Sequence, residues 1–262
     1  MRFPRFALLA VFALVPFAVA QQTATTSTQA TAILQSSLSA LSGGQTLTDV
    51  TLSGTARRIA GSDDETGTAV LKAISSGASR VDLSLPSGQR NELLNTSVSP
   101  SAGTWSGPDG ISHAVAYHNL LTGPAWFFPL FPIAEGLTGS GYVATYVGHE
   151  THNGQAVEHV SVSQTSSSRS PSGALLLQHL SQVDFFLDST TLLPAAMTFN
   201  VHPDSNALLD IPVDVRFSDY RTVSGAKVPF HVQKYLNNGL VLDFQAQSVT
   251  LNSGLAASSF SL

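Results

Sequence analysis

Alternation of apolar and polar residues with a period of two constrains this chain more than any other feature. It is clearest in Val81-Leu83-Leu85 and Ile211-Val213-Val215-Phe217, and it recurs in other short runs separated by turns rich in glycine, serine and asparagine. Successive side chains of a strand point to opposite faces of a sheet, so the pattern indicates strands with one buried face. The sequence therefore predicts a mainly β protein of the α+β class, with about ten to eleven strands in an antiparallel meander.

Asn153-Gly154 marks the clearest hairpin, which runs from residue 142 to residue 164. This dipeptide is typical of a two-residue type I′ turn. Pairing across such a turn sets Val147 opposite Val160 and predicts an apolar face on that side of the hairpin.

A second hairpin is predicted between Val228–Leu236 and Leu240–Leu251, through Asn237-Asn238-Gly239. A three-residue loop with glycine in the left-handed position fits this spacing. It sets Val232 opposite Phe244.

The amino terminus predicts export. Arg2 and Arg5 precede a short apolar run that ends on Ala18-Val19-Ala20, which is typical of a secretory signal peptide over residues 1–20. The alternative, an uncleaved membrane anchor, is disfavoured because the run is shorter than the roughly 20 residues that span a bilayer. Cleavage changes the net charge from −5 to −7, since it removes both arginines. No further run predicts a stable transmembrane segment.

Residues 21–31 predict a disordered leader because they are almost all Gln, Thr, Ser and Ala. An amphipathic helix is predicted from Thr31 to Leu41, and a second, short helix over Ala174–Leu180. The sequence shows no linker between residue 32 and residue 262, so we predict that residues 32–262 form a single domain.

Chemical signatures exclude several functions. The chain has no cysteine, which excludes disulfides, thiolate metal sites and a cysteine nucleophile. Its 12 basic against 17 acidic residues, with no basic cluster, disfavour nucleic-acid binding. Ser224-Gly225-Ala226-Lys227 matches a Ser-x-x-Lys pattern but falls in a turn between strands, where a serine nucleophile and its base would not meet. Asp63-Asp64-Glu65 is interpreted as a solvated turn rather than a calcium site. We predict no catalytic residues and no cofactor.

The histidines near the first hairpin are the most metal-like cluster. The predicted register sets His149 opposite Glu158, whereas His152 and His159 fall on the other face of the hairpin. Zinc ligands must converge on one ion, so a cross-strand His149–Glu158 pair is expected rather than a metal site.

The carboxy-terminal part carries a family resemblance. Asp184–Pro194 predicts a strand and a turn, and it precedes the strand Val215–Arg221 and the strand that starts at Val228-Pro229. The chain closes with Val249–Asn252 and Phe260. In this order, the segments resemble the closing strands of the LolA-like superfamily of exported bacterial proteins. The resemblance implies a curved antiparallel half-barrel with an N-terminal helix and short helical insertions.

The resemblance also implies a function and a location. The superfamily includes periplasmic lipoprotein carriers, lipid-binding proteins and an envelope-stress sensor. We expect a periplasmic or extracellular protein that binds a lipid, an acyl chain or a lipoprotein without catalysis. The alternative is an envelope protein-interaction or sensor module with a filled core and no ligand.

One segment, Leu120–Ile133, breaks the strand pattern and cannot form a regular long helix, because Pro124, Pro129 and Pro132 interrupt it. A half-barrel is open along one side, so its concave face needs a cover. The segment is interpreted either as ordinary core or as the lid or lining of an apolar ligand cavity. The candidate residues are Trp126, Phe127, Phe128, Leu130, Phe131 and Ile133.

Overall fold

One antiparallel sheet forms the framework of the protein. The structure is a computed structural model, and it describes residues 26–96, 98–122, 125–167 and 169–260. The predicted signal peptide and residues 21–25 of the predicted leader lie outside these residues. Within them the sheet has thirteen strands. They are β1 (Asp49–Ala60), β2 (Asp63–Ile74), β3 (Ala78–Leu85), β4 (Gly88–Asn95), β5 (Ala102–Ser106), β6 (Ser112–Ala114), β7 (Tyr142–His152), β8 (Gln155–Gln164), β9 (Val183–Asp188), β10 (Pro194–Val201), β11 (Ile211–Val223), β12 (Ala226–Leu236) and β13 (Gly239–Leu251).

The strand order is β6-β5-β4-β3-β2-β1-β13-β12-β11-β10-β9-β8-β7. Two meanders, β1–β6 and β7–β13, therefore join where β1 pairs with β13. The sheet is open, with β6 and β7 at its two edges. The predicted class and the half-barrel architecture are confirmed, but the number of strands is higher than the expected ten to eleven.

The additional strands are β4, β5 and β6. Their sequences lack a clear alternation: in β4 the two buried residues, Leu93 and Leu94, are adjacent, and all three residues of β6 are exposed. They form because β3 offers an edge that β4 can pair along its whole length, from Ala78–Asn95 to Leu85–Gly88. Tertiary pairing, rather than local pattern, creates these strands.

Helix α1 (Thr28–Ser42) begins earlier than predicted, so residues 28–31 are helical rather than disordered. The Ser27 hydroxyl accepts a hydrogen bond of 2.9 Å from the amide of Ala30 and caps the helix. Its buried positions, including Leu34 and Leu41, recur every three to four residues and join the main core with alternate residues of the strands. Gly43 ends the helix in a left-handed conformation.

Two further helices lie between strands. Helix α2 (Leu130–Thr138) follows one turn of 3₁₀ helix at Tyr117–Leu120, and α3 (Pro171–Leu180) begins three residues before its predicted start. A second 3₁₀ turn, Ala257–Phe260, follows the last strand. Among the described residues, each helix is too short or too polar to cross a membrane.

The β7–β8 hairpin has the predicted turn at Asn153-Gly154, and His149 pairs with Glu158 as expected. The predicted pairing of Val147 with Val160 is wrong, because the register shifts between Tyr146 and Gly148. Val147 occupies this bulge and is 54% exposed, and Val160 faces Tyr146 instead. A bulge adds one residue to one strand and is not visible in the alternation.

The β12–β13 hairpin pairs Val232 with Phe244 as predicted. Its loop is shorter than predicted: Asn237 and Asn238, both in the left-handed region, connect the strands, and Gly239 already belongs to β13. A register shift between Lys234 and Tyr235 restores the expected pairing further along.

The β1–β13 junction is held at one end by a buried carboxylate. Asp49 is 2% exposed and accepts hydrogen bonds from the amides of Ser253 (2.8 Å) and Gly254 (2.9 Å) and from the Ser253 hydroxyl (2.7 Å). Burial acts to raise the pKa of Asp49, but these hydrogen bonds outweigh it and hold the pKa below its usual value. The ionised carboxylate thus ties the start of β1 to the chain after β13.

Candidate functional site

The aromatic insertion lies in the interior. All six candidate side chains are between 0% and 6% exposed, and they belong to the same core cluster as α1 and the strands. These residues are Trp126, Phe127, Phe128, Leu130, Phe131 and Ile133.

Prolines and a tight turn give the insertion its shape. Ala125 has a positive φ of 65°, and the Phe128 amide donates to the Ala125 carbonyl at 2.9 Å. Pro129 is the N-cap of α2 and Pro132 lies in its first turn, where a missing N–H removes no helical hydrogen bond. Pro124 lies outside the described residues. The chain thus turns sharply and delivers adjacent aromatic rings to the core.

A cavity of about 810 Å³ opens at one end of the concave face. It lies where the β1–β2 turn, at Gly61, and the start of β13, at Gly239, come together with the end of β5 at Ser106. Its volume is within the range of about 300–1,000 Å³ that ligand sites usually have. Its wall is mostly apolar and includes Ile59, Val81, Leu83, Trp126, Val201, Val213, Leu236, Leu240, Val241 and Leu242.

Trp126 is the one candidate of the insertion that lines this cavity. Its indole Nε1 donates to Glu92 Oε1 at 3.3 Å, and the Lys234 ammonium lies 4.4 Å from the ring centroid. Phe127 packs edge-on against Trp126, with ring centroids 5.5 Å apart, but does not reach the cavity wall. The insertion therefore contributes one side chain to the cavity and five to the core behind it. A ligand contact by those five stays a prediction.

A second, smaller cavity of about 190 Å³ adjoins the first. Both are lined by Glu92, Trp105, Trp126, Val201 and Lys234. Trp105 is 46% exposed and stacks on His113, with ring centroids 4.3 Å apart. One buried indole and one exposed indole thus border both spaces.

Four charged residues line the main cavity: Arg58 on β1, Arg90 and Glu92 on β4, and Lys234 on β12. Three of the four are basic, although the protein as a whole is acidic. Arg58 Nη1 and Arg90 Nε are buried and have no hydrogen-bond partner among the described residues.

The sequence pattern did not single out these basic residues, although it contained a signal for two of them. Arg58 continues the inward-facing positions Leu52 and Ala56 of β1, and Lys234 continues Phe230 and Val232 of β12. A basic residue in the next inward position of an apolar alternation indicates a charge turned toward the concave face. Arg90 and Glu92 carry no such signal, because β4 itself was not predicted.

The histidines of the first hairpin have local partners. His149 Nδ1 lies 3.0 Å from Glu158 Oε1, as predicted. The His152 ring stacks on Phe186 at a centroid distance of 3.7 Å, and the His159 ring packs against Phe186 at 4.4 Å with a tilt of 32°. Throughout the residues that the structure describes, no group of three or more histidine and carboxylate side chains has the arrangement of a metal site.

Two further polar motifs are also structural. Ser224 and Gly225 form the β11–β12 turn, and Lys227 lies on β12. The expected solvated turn at residues 63–65 is instead the start of β2. There Asp64 forms an ion pair with Arg57, and the Glu65 carboxylate accepts hydrogen bonds from Ser87. The strand forms because β1 extends to Ala60 and pairs with these acidic residues.

No protein-family model and no curated protein sequence matches the chain. Solved structures do match its fold. A domain from Vibrio parahaemolyticus assigned to outer membrane lipoprotein sorting is 12% identical, with a TM-score of 0.54 over 88% of this chain and 96% of that one. A LolA superfamily protein from Nitrosomonas europaea is 12% identical, with a TM-score of 0.52 over 89% and 97%.

A DUF1329 family protein from Desulfovibrio piger is 11% identical, with a TM-score of 0.54 over 88% of this chain and 97% of that one. At these identities the likeness concerns the fold, and it extends over nearly the whole length of each of the three structures. The open thirteen-strand sheet, its central helices and these matches together show that the chain has the LolA-like fold.

Proposed function

We propose that the protein is an exported envelope protein that binds a lipid or another ligand with an apolar chain in the 810 Å³ cavity. The observation that carries this function is the cavity itself, a largely apolar space at the concave face of a LolA-like fold. The similarity to a domain assigned to lipoprotein sorting agrees with a carrier or binding role. The signal peptide predicted over residues 1–20 agrees with a place outside the cytoplasm.

Apolar burial is sufficient to drive such binding. Each methylene group transferred from water to the cavity wall contributes about 0.8 kcal/mol, so ten methylenes contribute roughly 8 kcal/mol. Association and ordering of the chain offset part of this gain. The remainder is compatible with a ligand that is held firmly but can be released to a partner.

The cavity favours this function over the alternative of a protein-interaction module with a filled interior. In the filled alternative, Trp126 would pack against protein atoms on all sides. Here its ring borders two cavities, and Leu83, Val213 and Leu242 line the wall of the larger one. A residue on the cavity wall therefore provides the most direct variant for a test.

The test is extraction and mass spectrometry of the protein purified from envelope fractions, followed by titration of the delipidated protein with fatty acids. Leu83→Trp places a larger side chain in the cavity and is expected to abolish binding. Val147→Trp, at an exposed bulge distant in sequence from the cavity wall, is the control and should bind like the wild type. Absence of lipid in the extract, together with no binding of added fatty acids by the wild type, would contradict the proposal.

A further inference from the structure

The basic residues of the cavity wall differ from most other arginines of the protein in what they contact. Arg57, Arg80, Arg216 and Arg221 each form an ion pair with an aspartate. The side chain of Arg58 forms neither a hydrogen bond nor an ion pair with any described residue, and the side chain of Arg90 donates only to the Ser87 hydroxyl, at 3.2 Å.

A buried N–H without a partner is costly, because the group loses its hydrogen bonds to water and gains none in return. Arg58 Nη1 and Arg90 Nε are both in this state, and both residues line the same cavity. A guanidinium offers several donors in a planar fork, which suits the oxygens of a carboxylate or a phosphate. Neither guanidinium forms an ion pair with a described residue, so both charges are unpaired at the wall of the cavity.

The sheet register brings a third basic group to this wall. Leu242 of β13 pairs with Arg58 on one side and with Lys234 on the other. Neighbouring strands lie about 4.8 Å apart, so the backbones of Arg58 and Lys234 are separated by roughly 10 Å across Leu242. The Lys234 ammonium has the Trp126 ring beneath it and no carboxylate within ion-pair distance in the described part of the chain.

The acidic groups nearby form no ion pair with these cations among the described residues. Among the described residues, Glu92 is the single carboxylate of the cavity wall, and it accepts the hydrogen bond from Trp126. Glu65 pairs with Arg58 in the strand register, but both of its oxygens accept hydrogen bonds from Ser87. The cavity thus combines an apolar wall with three cations and one carboxylate.

We infer that the ligand is an anionic amphiphile, whose apolar chain occupies the cavity and whose carboxylate or phosphate head group is bound by Arg58 and Arg90, with Lys234 contributing charge. This inference rests on the proposed function and specifies the ligand class for the same cavity. Carboxylate and phosphate oxygens share the chemistry that these donors recognise, so a fatty acid and a lipid phosphate are separate arms of the test.

The test compares four ligands with twelve carbon atoms each by calorimetry: dodecanoate, dodecyl phosphate, dodecanol and dodecylammonium. The wild type is expected to bind at least one anion about tenfold or more tightly than dodecanol, which corresponds to about 1.4 kcal/mol. It should bind dodecylammonium more weakly than dodecanol. The tighter of the two anions identifies the head group.

The double variant Arg58→Gln/Arg90→Gln should lose the preference for anions and retain the affinity for dodecanol. Arg57→Gln is the matched control, since Arg57 is adjacent in sequence, points to the other face of β1 and pairs with Asp64. It should leave all four affinities unchanged. Thermal unfolding verifies that each variant is folded.

The outcomes separate the two proposals. Equal affinity of the wild type for dodecanol and both anions overturns the head-group inference but leaves an apolar ligand in place. Equal losses for dodecanol and the anions in the double variant also overturn it, because the arginines would then act on the fold. Failure of the wild type to bind any of the four ligands overturns the proposed function itself.

Discussion

Trp126 and Phe127 are adjacent and buried, but they should affect the protein in different ways. Trp126 borders both cavities, whereas Phe127 is fully enclosed by core side chains. Trp126→Ala is therefore expected to join the spaces of about 810 and 190 Å³ into one longer cavity. Phe127→Ala should leave an isolated void behind the wall.

The two losses of stability can be estimated. Truncation of a buried aromatic residue to alanine costs about 3–5 kcal/mol. Phe127 should lie near the upper value, because protein atoms surround its ring, and Trp126 near the lower one, because part of its ring faces empty space. At about 2–4 °C per kcal/mol, Tm should fall by roughly 6–12 °C for Trp126→Ala and by roughly 10–20 °C for Phe127→Ala.

The assay is thermal unfolding of both variants, combined with titration by fatty acids of increasing chain length. Trp126→Ala should shift the best-bound chain to a greater length, whereas Phe127→Ala should keep the optimum of the wild type despite its lower Tm. An unchanged optimum in Trp126→Ala, or the same shift in both variants, would refute the assignment of Trp126 to the cavity wall.

Three other predictions concern stability. Asp49→Asn should cost about 1–3 kcal/mol near neutral pH, because it weakens charge-assisted hydrogen bonds to Ser253 and Gly254. Hydrogen bonding holds the folded-state pKa of Asp49 below its unfolded value of about 3.9, so the wild type should lose its advantage over Asp49→Asn as the pH falls below that value. Urea unfolding at several pH values measures this advantage, and a difference in stability between the two proteins that persists in acid would contradict the prediction. Burial lowers the pKa of His202, so the unfolded chain takes up the proton first and the free energy of unfolding should decrease as the pH falls below about 6.5. An NMR titration that gives His202 a pKa at or above about 6.5 in the folded protein would refute this. Gly54→Ala should lower the free energy of unfolding by more than about 2 kcal/mol, because its Cβ would lie 2.0 Å from the backbone oxygen of Gln245. In the control Gly239→Ala the nearest contact of the Cβ would be 3.4 Å, so chemical unfolding should show a change of less than about 0.5 kcal/mol.

Much of the fold follows from local pattern. The alternation in β1–β3 and β11–β13, and the turn residues Asn153-Gly154, predicted strands that the structure contains. The bulge at Val147 and the strands β4–β6 could not be predicted in this way, because both depend on how neighbouring strands pair. The two-residue loop at Asn237-Asn238 was missed because asparagine also tolerates the left-handed conformation that the prediction reserved for glycine.

The candidate site was predicted less well than the fold. The sequence identified the aromatic insertion and its burial potential, but it could not indicate that Trp126 alone reaches the cavity. The cavity wall combines residues from β1, β3–β5 and β10–β13, which are far apart in the chain. Arg58 and Arg90 lie three strands apart in the sheet order and line the same cavity only because the sheet is curved, so their shared surroundings are a property of the tertiary structure.

The measurement that tests the central claim most directly is NMR of the delipidated protein with dodecanoate labelled with ¹³C along its chain. If the ligand occupies the proposed cavity, intermolecular contacts should join the chain to the methyl groups of Leu83, Val213 and Leu242, which line the wall. Contacts restricted to exposed residues such as Leu208, or the absence of any contact with these three side chains, would contradict the proposed ligand-binding function.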